Sequence, residues 1–162
     1  MEISPVKQIS DFLEKFTLGI CVILCVVMVV ISWSHVFWRY ALNNALTWSE
    51  ECLRFMLVSL GMFSASVIQR HRAHIGVEFF RQHMPKRMQY VVGRAVTYIE
   101  ICVTAVATVG GFILLVKSQG QITPALGIPY SLVYASIPIS FLLMTFYGIE
   151  HAVQEIQGSR HK

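Results

Sequence analysis

Charged residues are scarce in this sequence: 14% of its 162 residues are Asp, Glu, Lys or Arg, against 55% hydrophobic. With a mean hydropathy of +0.59, that balance excludes an ordinary soluble domain, in which about 25% of residues are charged. The cysteines lack a Cys-x-x-Cys spacing and neighbouring ligand histidines, so Cys21, Cys25, Cys52 and Cys102 read as small apolar side chains and no metal site is expected. His71, His74 and His83 come without a zinc-type pattern, and solvation at a membrane surface accounts for them. The apolar runs lack the period-two alternation of barrel strands, which leaves helices as the way to satisfy backbone polar groups in lipid. A cleavable leader is not expected, because the first apolar run is of membrane length and meets bulky Trp38, Arg39 and Tyr40 instead of small residues. No internal repeat, low-complexity tract or separate soluble domain interrupts the chain.

What is present is apolar length. Runs at about 16–38, 46–68, 95–116 and 128–149 each exceed the roughly 20 residues needed to cross about 30 Å of hydrocarbon as helix. The expectation is an all-α integral membrane protein, a single module over 1–162 with four transmembrane helices. Pro129 and Pro138 mark the last of them. Ten Lys and Arg fall in the N-terminus, the second loop and the C-terminus, against two, Arg39 and Lys117, in the other loops. This asymmetry predicts a multi-pass protein with both termini cytoplasmic. The net charge of +4 requires no nucleic-acid partner, since basic residues beside spans meet anionic headgroups of the lipid bilayer.

The stretch TWSEECLRF, at 47–55, sets two carboxylates and an arginine among apolar neighbours. Thr47 and Glu50 fit a capping box, and Arg54 follows Glu50 at i+4 and Glu51 at i+3. Arg39, across a short hairpin, can join them. Arg39, Glu50, Glu51 and Arg54 are therefore expected as one charge cluster that pins the first hairpin or meets a partner subunit. Trp38, Tyr40 and Trp48 are candidate anchors at the outer interface. On the inner side, Val77, Phe80 and Met84 have helical spacing before Pro85, which predicts a short amphipathic interfacial helix with Arg81, Lys86 and Arg87 at the headgroups. Val6, Ile9, Phe12, Leu13 and Phe16 predict an interfacial N-terminal helix leading into span one. Glu100 is the other carboxylate within a predicted span and is placed near the cytoplasmic interface.

The run WRYALNNALTWSEECLRFMLVSLGMFSASVIQRHRAHIGVEFF resembles the small membrane, or Q, subunit of tripartite ATP-independent periplasmic (TRAP) transporters, the DctQ-like family. Arg39, Tyr40, Trp48, Glu50, Glu51, Arg54, Gly61, His74, Ile75, Val77 and Glu78 carry the likeness. Later, Ala125, Leu126, Ile128, Pro129, Tyr134 and Pro138 in TPALGIPYSLVYASIPIS extend it over nearly the whole chain. The resemblance implies a non-enzymatic scaffold subunit in the bacterial inner membrane, without a cofactor of its own. It implies a large multi-span partner that holds the sodium and substrate sites, and a periplasmic binding protein that delivers an organic anion such as sialic acid or a C4-dicarboxylate. An unfused small subunit is expected.

The rival readings are weaker on the same residues. A shared haem would need facing histidines, whereas His35 and His151 are predicted at opposite ends of their spans. An independent small proton-coupled exporter would need an ionisable group deep in a span, and a transport assay of this chain alone in liposomes distinguishes it.

Overall fold

The computed structural model describes residues 5–42, 46–71 and 86–160, with side chains over 8–42, 46–71 and 92–153. Its helices are α1 (Pro5–Ala41), α2 (Thr47–Arg70), α3 (Lys86–Lys117), α4 (Tyr130–Tyr134) and α5 (Ser136–Arg160). Among the described residues, four stretches are long and apolar enough to cross a membrane: Gln8–Ala41, Thr47–Arg70, Val92–Lys117 and Tyr130–Val153. The protein is an all-α, multi-pass membrane protein.

The expected N-terminal interfacial helix is continuous with span one. At 37 residues, α1 is about 55 Å long, well beyond a hydrocarbon core of about 30 Å. Near its start Ile9, Phe12 and Phe16 are exposed, while Ser10 and Thr17 on another face are buried. The amphipathic helix expected around Val77, and Arg81 with it, lies outside the described residues. Lys86 and Arg87 open α3.

The fourth span is built from α4 and α5, with a turn at Ala135 between them. Pro129, with its extended backbone, is the N-cap of α4. Pro138 has no N–H to offer the Tyr134 carbonyl, so the ladder is interrupted there. It resumes with the Ile139 amide donating to the Ala135 carbonyl at 3.4 Å.

Packing follows a row rather than the chain order. The main interfaces join α1 to α2, α2 to α5, and α5 to α3. The last span thus inserts between α2 and α3. It is also the most enclosed, with 28% of its apolar window buried against 11% for each of the others. Close approach of α3 and α5 depends on Gly111, where an added Cβ would lie 3.2 Å from the Cα and N of Pro138.

The interior is made of small and polar side chains. Val67 and Tyr147 are the buried hydrophobics among the described residues, whereas Ser10, Thr17, Ser49, Ser66, Gln69, Thr97, Thr104 and Ser140 are all buried. Large apolar residues such as Ile23, Val30, Leu57, Val106 and Leu142 face outward. That inversion is the arrangement expected in lipid, where apolar surface needs no burial and helices meet through small residues and hydrogen bonds. Several of the hydroxyls back-bond within their own helix: Thr17 donates to the Leu13 carbonyl at 2.8 Å and Thr108 to the Thr104 carbonyl at 2.7 Å.

Candidate functional site

Polar chemistry collects at the two opposite ends of the helices. At one end, Glu51 of α2 reaches the loop between α3 and α4. Its Oε2 accepts hydrogen bonds from the amides of Ala125 and Leu126, both at 3.0 Å. The loop is prepared for this carboxylate by its own bonds. The Thr123 amide donates to the Ile128 carbonyl at 2.9 Å, the Ile128 amide to Thr123 Oγ1 at 3.0 Å, and the Tyr130 amide to the Gln121 carbonyl at 3.0 Å. Gly127 turns the chain at φ 67, in the left-handed region that costs a side chain energy. Two adjacent amides turned toward one oxygen form a small anion nest, and Glu51 fills it from a neighbouring helix. Below the loop, Tyr130 packs edge-on against Phe55, ring centroids 5.8 Å apart.

Glu50 turns elsewhere. The Ser49 hydroxyl donates to the Leu46 carbonyl at 2.7 Å, so its single proton is committed. His35 Nδ1, 2.6 Å from the same oxygen, must then be the donor in that contact. The network leaves His35 Nε2 facing Glu50 Oε1 across 3.7 Å, an ion pair whenever the ring is protonated.

The charge cluster expected within the first hairpin therefore does not assemble in this chain. Arg39 and Arg54 are exposed and have no ion-pair partner among the described residues. The capping box is absent as well: Leu46 is the N-cap, without a side-chain bond, and Thr47 is already helical. Ser49 does not replace it, because its hydroxyl and its amide, the latter at 3.2 Å, both donate to the Leu46 carbonyl. Glu51 turns from the arginine one helical turn away because two loop amides, arriving from residues 125 and 126, offer its carboxylate fixed donors. Trp38, Tyr40 and Trp48 are all exposed near this end.

At the opposite end Arg70 gathers α1, α2 and α5. Its guanidinium pairs with Asp11 and Glu14 and donates to the Ser10 carbonyl at 2.6 Å. It also lies over the Tyr147 ring, 5.6 Å from the centroid. His71 Nε2 meets the other oxygen of Glu14 at 2.6 Å. Buried Ser10 donates to Glu150, and His151 Nε2 bonds the Arg70 carbonyl at 2.9 Å. Next to this cluster, Gln69 Nε2 donates to the Met144 carbonyl at 3.0 Å. The sequence carries a signal for this cluster: Asp11 and Glu14 share one face of α1, opposite the exposed Phe12 and Phe16. Only the antiparallel register of the hairpin brings Arg70 to them.

His35 and His151 lie at opposite ends, as their contacts with Ser49 and the Arg70 carbonyl show, which removes the geometry of a shared haem. Among the described residues, no three His, Cys, Asp or Glu side chains converge as a metal site. A groove between α3 and α5 is lined by Ala105, Thr108, Leu142, Thr145, Phe146 and Ile149, a mostly apolar surface. Asp11, Glu14, Arg70 and Glu51 are committed to holding helices and a loop in place, whereas Gln69 Oε1 is buried without a hydrogen-bond partner among the described residues.

Residues 28–158 match the family described as tripartite ATP-independent periplasmic transporters, DctQ component. Among similar proteins, the sialic acid TRAP transporter small permease protein SiaQ of Vibrio cholerae is 23% identical over 93% of this chain and 85% of its own length. The ectoine TRAP transporter small permease protein TeaB of Halomonas elongata is 25% identical over 96% of this chain and 79% of its own. The isethionate TRAP transporter permease protein DctMQ of Oleidesulfovibrio alaskensis is 32% identical over 62% of this chain, a match covering 16% of that longer protein. These relatives are transporter permeases and not enzymes. The chain belongs to the DctQ-component family of the tripartite ATP-independent periplasmic transporters, as one of their small permease subunits.

Proposed function

We propose that this small permease subunit is a fixed membrane scaffold for a larger, multi-span transport subunit in sodium-driven uptake of an organic anion, a carboxylate such as sialic acid or a C4-dicarboxylate. The observation that carries this reading is that Asp11, Glu14, Arg70 and Glu51 spend their charge on intrachain contacts at the two ends, with mostly small hydroxyls between them. A substrate site at mid-membrane ordinarily draws on unwound helices and converging polar groups. The large partner is supported by DctMQ, in which a segment similar to this chain forms a minor part of a longer permease. Relatives named for sialic acid, ectoine and isethionate share this type of subunit, so solute choice is assigned to the large subunit and a periplasmic binding protein. Sodium coupling is assigned to the large subunit as well. The setting is the bacterial inner membrane, with the Arg70 end cytoplasmic and the Glu51 end periplasmic, where a binding protein docks. An independent exporter is not favoured by membership of a permease-component family.

Liposome reconstitution tests the reading. Vesicles holding this chain alone should show no solute-specific, sodium-driven uptake, and uptake should appear once the large subunit and the binding protein are added. Uptake by the chain alone would overturn it.

A further inference from the structure

Arg54 lies seven residues beyond Thr47, the first residue of α2, about 10 Å along the helix at 1.5 Å per residue. Centring the 24 residues of α2, about 36 Å, on a hydrocarbon core of about 30 Å puts this backbone roughly 7 Å from mid-membrane. The side chain is exposed there and has no ion-pair partner among the described residues. An ionised group at that depth requires an anion or a route to the headgroups. Helical side chains lean toward the N-terminus of their helix, so Arg54 leans toward the Glu51 end and its nearer leaflet.

It also lines a groove of about 480 Å³ between α1 and α2. Cys25, Met28, Val29 and Ser32 form the α1 wall, one stripe at helical spacing, with Leu53, Leu57 and Leu60 opposite. The contacts of Ser49 with His35 and of Ser64 with Cys21 fix the hairpin register. That register places Arg54 level with residues 30 and 31, within two residues of Ser32. Ser34 spends its hydroxyl on the Val30 carbonyl at 2.9 Å, whereas the Ser32 hydroxyl has no hydrogen bond among the described residues.

We propose that this groove binds a phospholipid of the leaflet at the Glu51 end, its phosphodiester on the Arg54 guanidinium and one acyl chain between α1 and α2. The planar fork of guanidinium donors matches two phosphate oxygens, and Ser32 supplies a further donor at the same level. Bulky walls such as Leu53 and Leu57, with the unbranched and adaptable Met28 across from them, suit an alkyl chain better than a packed helix, which calls for small residues. The inference needs only the membrane setting and stands apart from the scaffold assignment.

Native mass spectrometry of the full chain in mild detergent, alone and with its large subunit, tests it. The wild-type chain should retain phospholipid through extended detergent washing. Arg54→Gln should lower that occupancy about tenfold, as expected for losing charge-assisted hydrogen bonds. Leu57→Trp, which fills the groove and keeps the arginine, should lower it similarly, while Arg39→Gln should not. Unchanged lipid in Arg54→Gln or in Leu57→Trp, each eluting as a folded species, overturns the proposal. So does loss of the large subunit in Arg54→Gln with the lipid of the isolated chain unaltered, which would place a protein carboxylate on Arg54.

Discussion

Glu51 and Arg70 each hold distant segments together, but their environments give different losses on substitution. Glu51→Ala leaves the Ala125 and Leu126 amides without their acceptor at a partly wet loop, a loss of about 1 kcal/mol. Glu51→Gln keeps one acceptor oxygen and should be milder. Melting in detergent should rank wild type above Glu51→Gln and both above Glu51→Ala. Because Glu51 contacts the loop and not Arg54, a double-mutant cycle between Glu51→Ala and Arg54→Ala should show coupling within about 0.5 kcal/mol of zero. A larger coupling would restore the hairpin cluster that the i+3 spacing suggests. Arg70 is the more consequential residue, since its side chain is 11% exposed and faces two carboxylates. Arg70→Ala strands buried charge and should cost roughly 3–5 kcal/mol, seen as lost monodispersity and a lowered melting temperature. Arg70→Lys should rescue only in part, because an ammonium cannot bond Asp11, Glu14 and the Ser10 carbonyl with the same fork.

Among the elements, the interface of α3 with α5 is set by a missing side chain. Gly111→Leu should force the helices apart at Pro138, costing about 1–3 kcal/mol as overpacking does. Gly110→Leu is the control, because a Cβ there meets nothing within 4 Å. Equal melting temperatures for the two variants would contradict the close approach. The spans themselves were legible in the sequence, since a long apolar run announces itself wherever it folds: the expected 46–68 begins one residue before Thr47–Arg70, and 95–116 sits inside Val92–Lys117. Pro129 and Pro138 mark the last span in the sequence, but that the first caps α4 and the second interrupts the ladder is visible only in the structure. Side-chain partners were not legible. Local spacing ties Glu51 to Arg54, yet its bonds go to a loop more than seventy residues away, and nothing in either segment encodes their meeting. The Asp11, Glu14 and Arg70 cluster was hidden for the same reason: its members lie on separate helices.

For the whole molecule, the Lys and Arg asymmetry makes a topology prediction. In a variant lacking Cys21, Cys25, Cys52 and Cys102, a cysteine introduced by Gln121→Cys should react with an impermeant thiol reagent in intact cells. One introduced by Arg160→Cys should react only after permeabilisation. The reverse pattern would invert the protein in the membrane and place the Glu51 end in the cytoplasm.

The row of helices also has a consequence in time. Spans leave the ribosome in sequence order, and segments of a chain generally fold as they emerge. The first hairpin can pair α1 with α2 at once, but α3 reaches the membrane before the helix it packs against exists. Until the last span is made, α3 waits beside an unfinished neighbour, its Thr97 and Thr104 face unoccupied and the Arg70 cluster without Tyr147 or Glu150. Assembly is therefore gated by the final stretch of synthesis. A nascent chain stalled after residue 128 would present cellular quality control with one closed hairpin and one orphan helix.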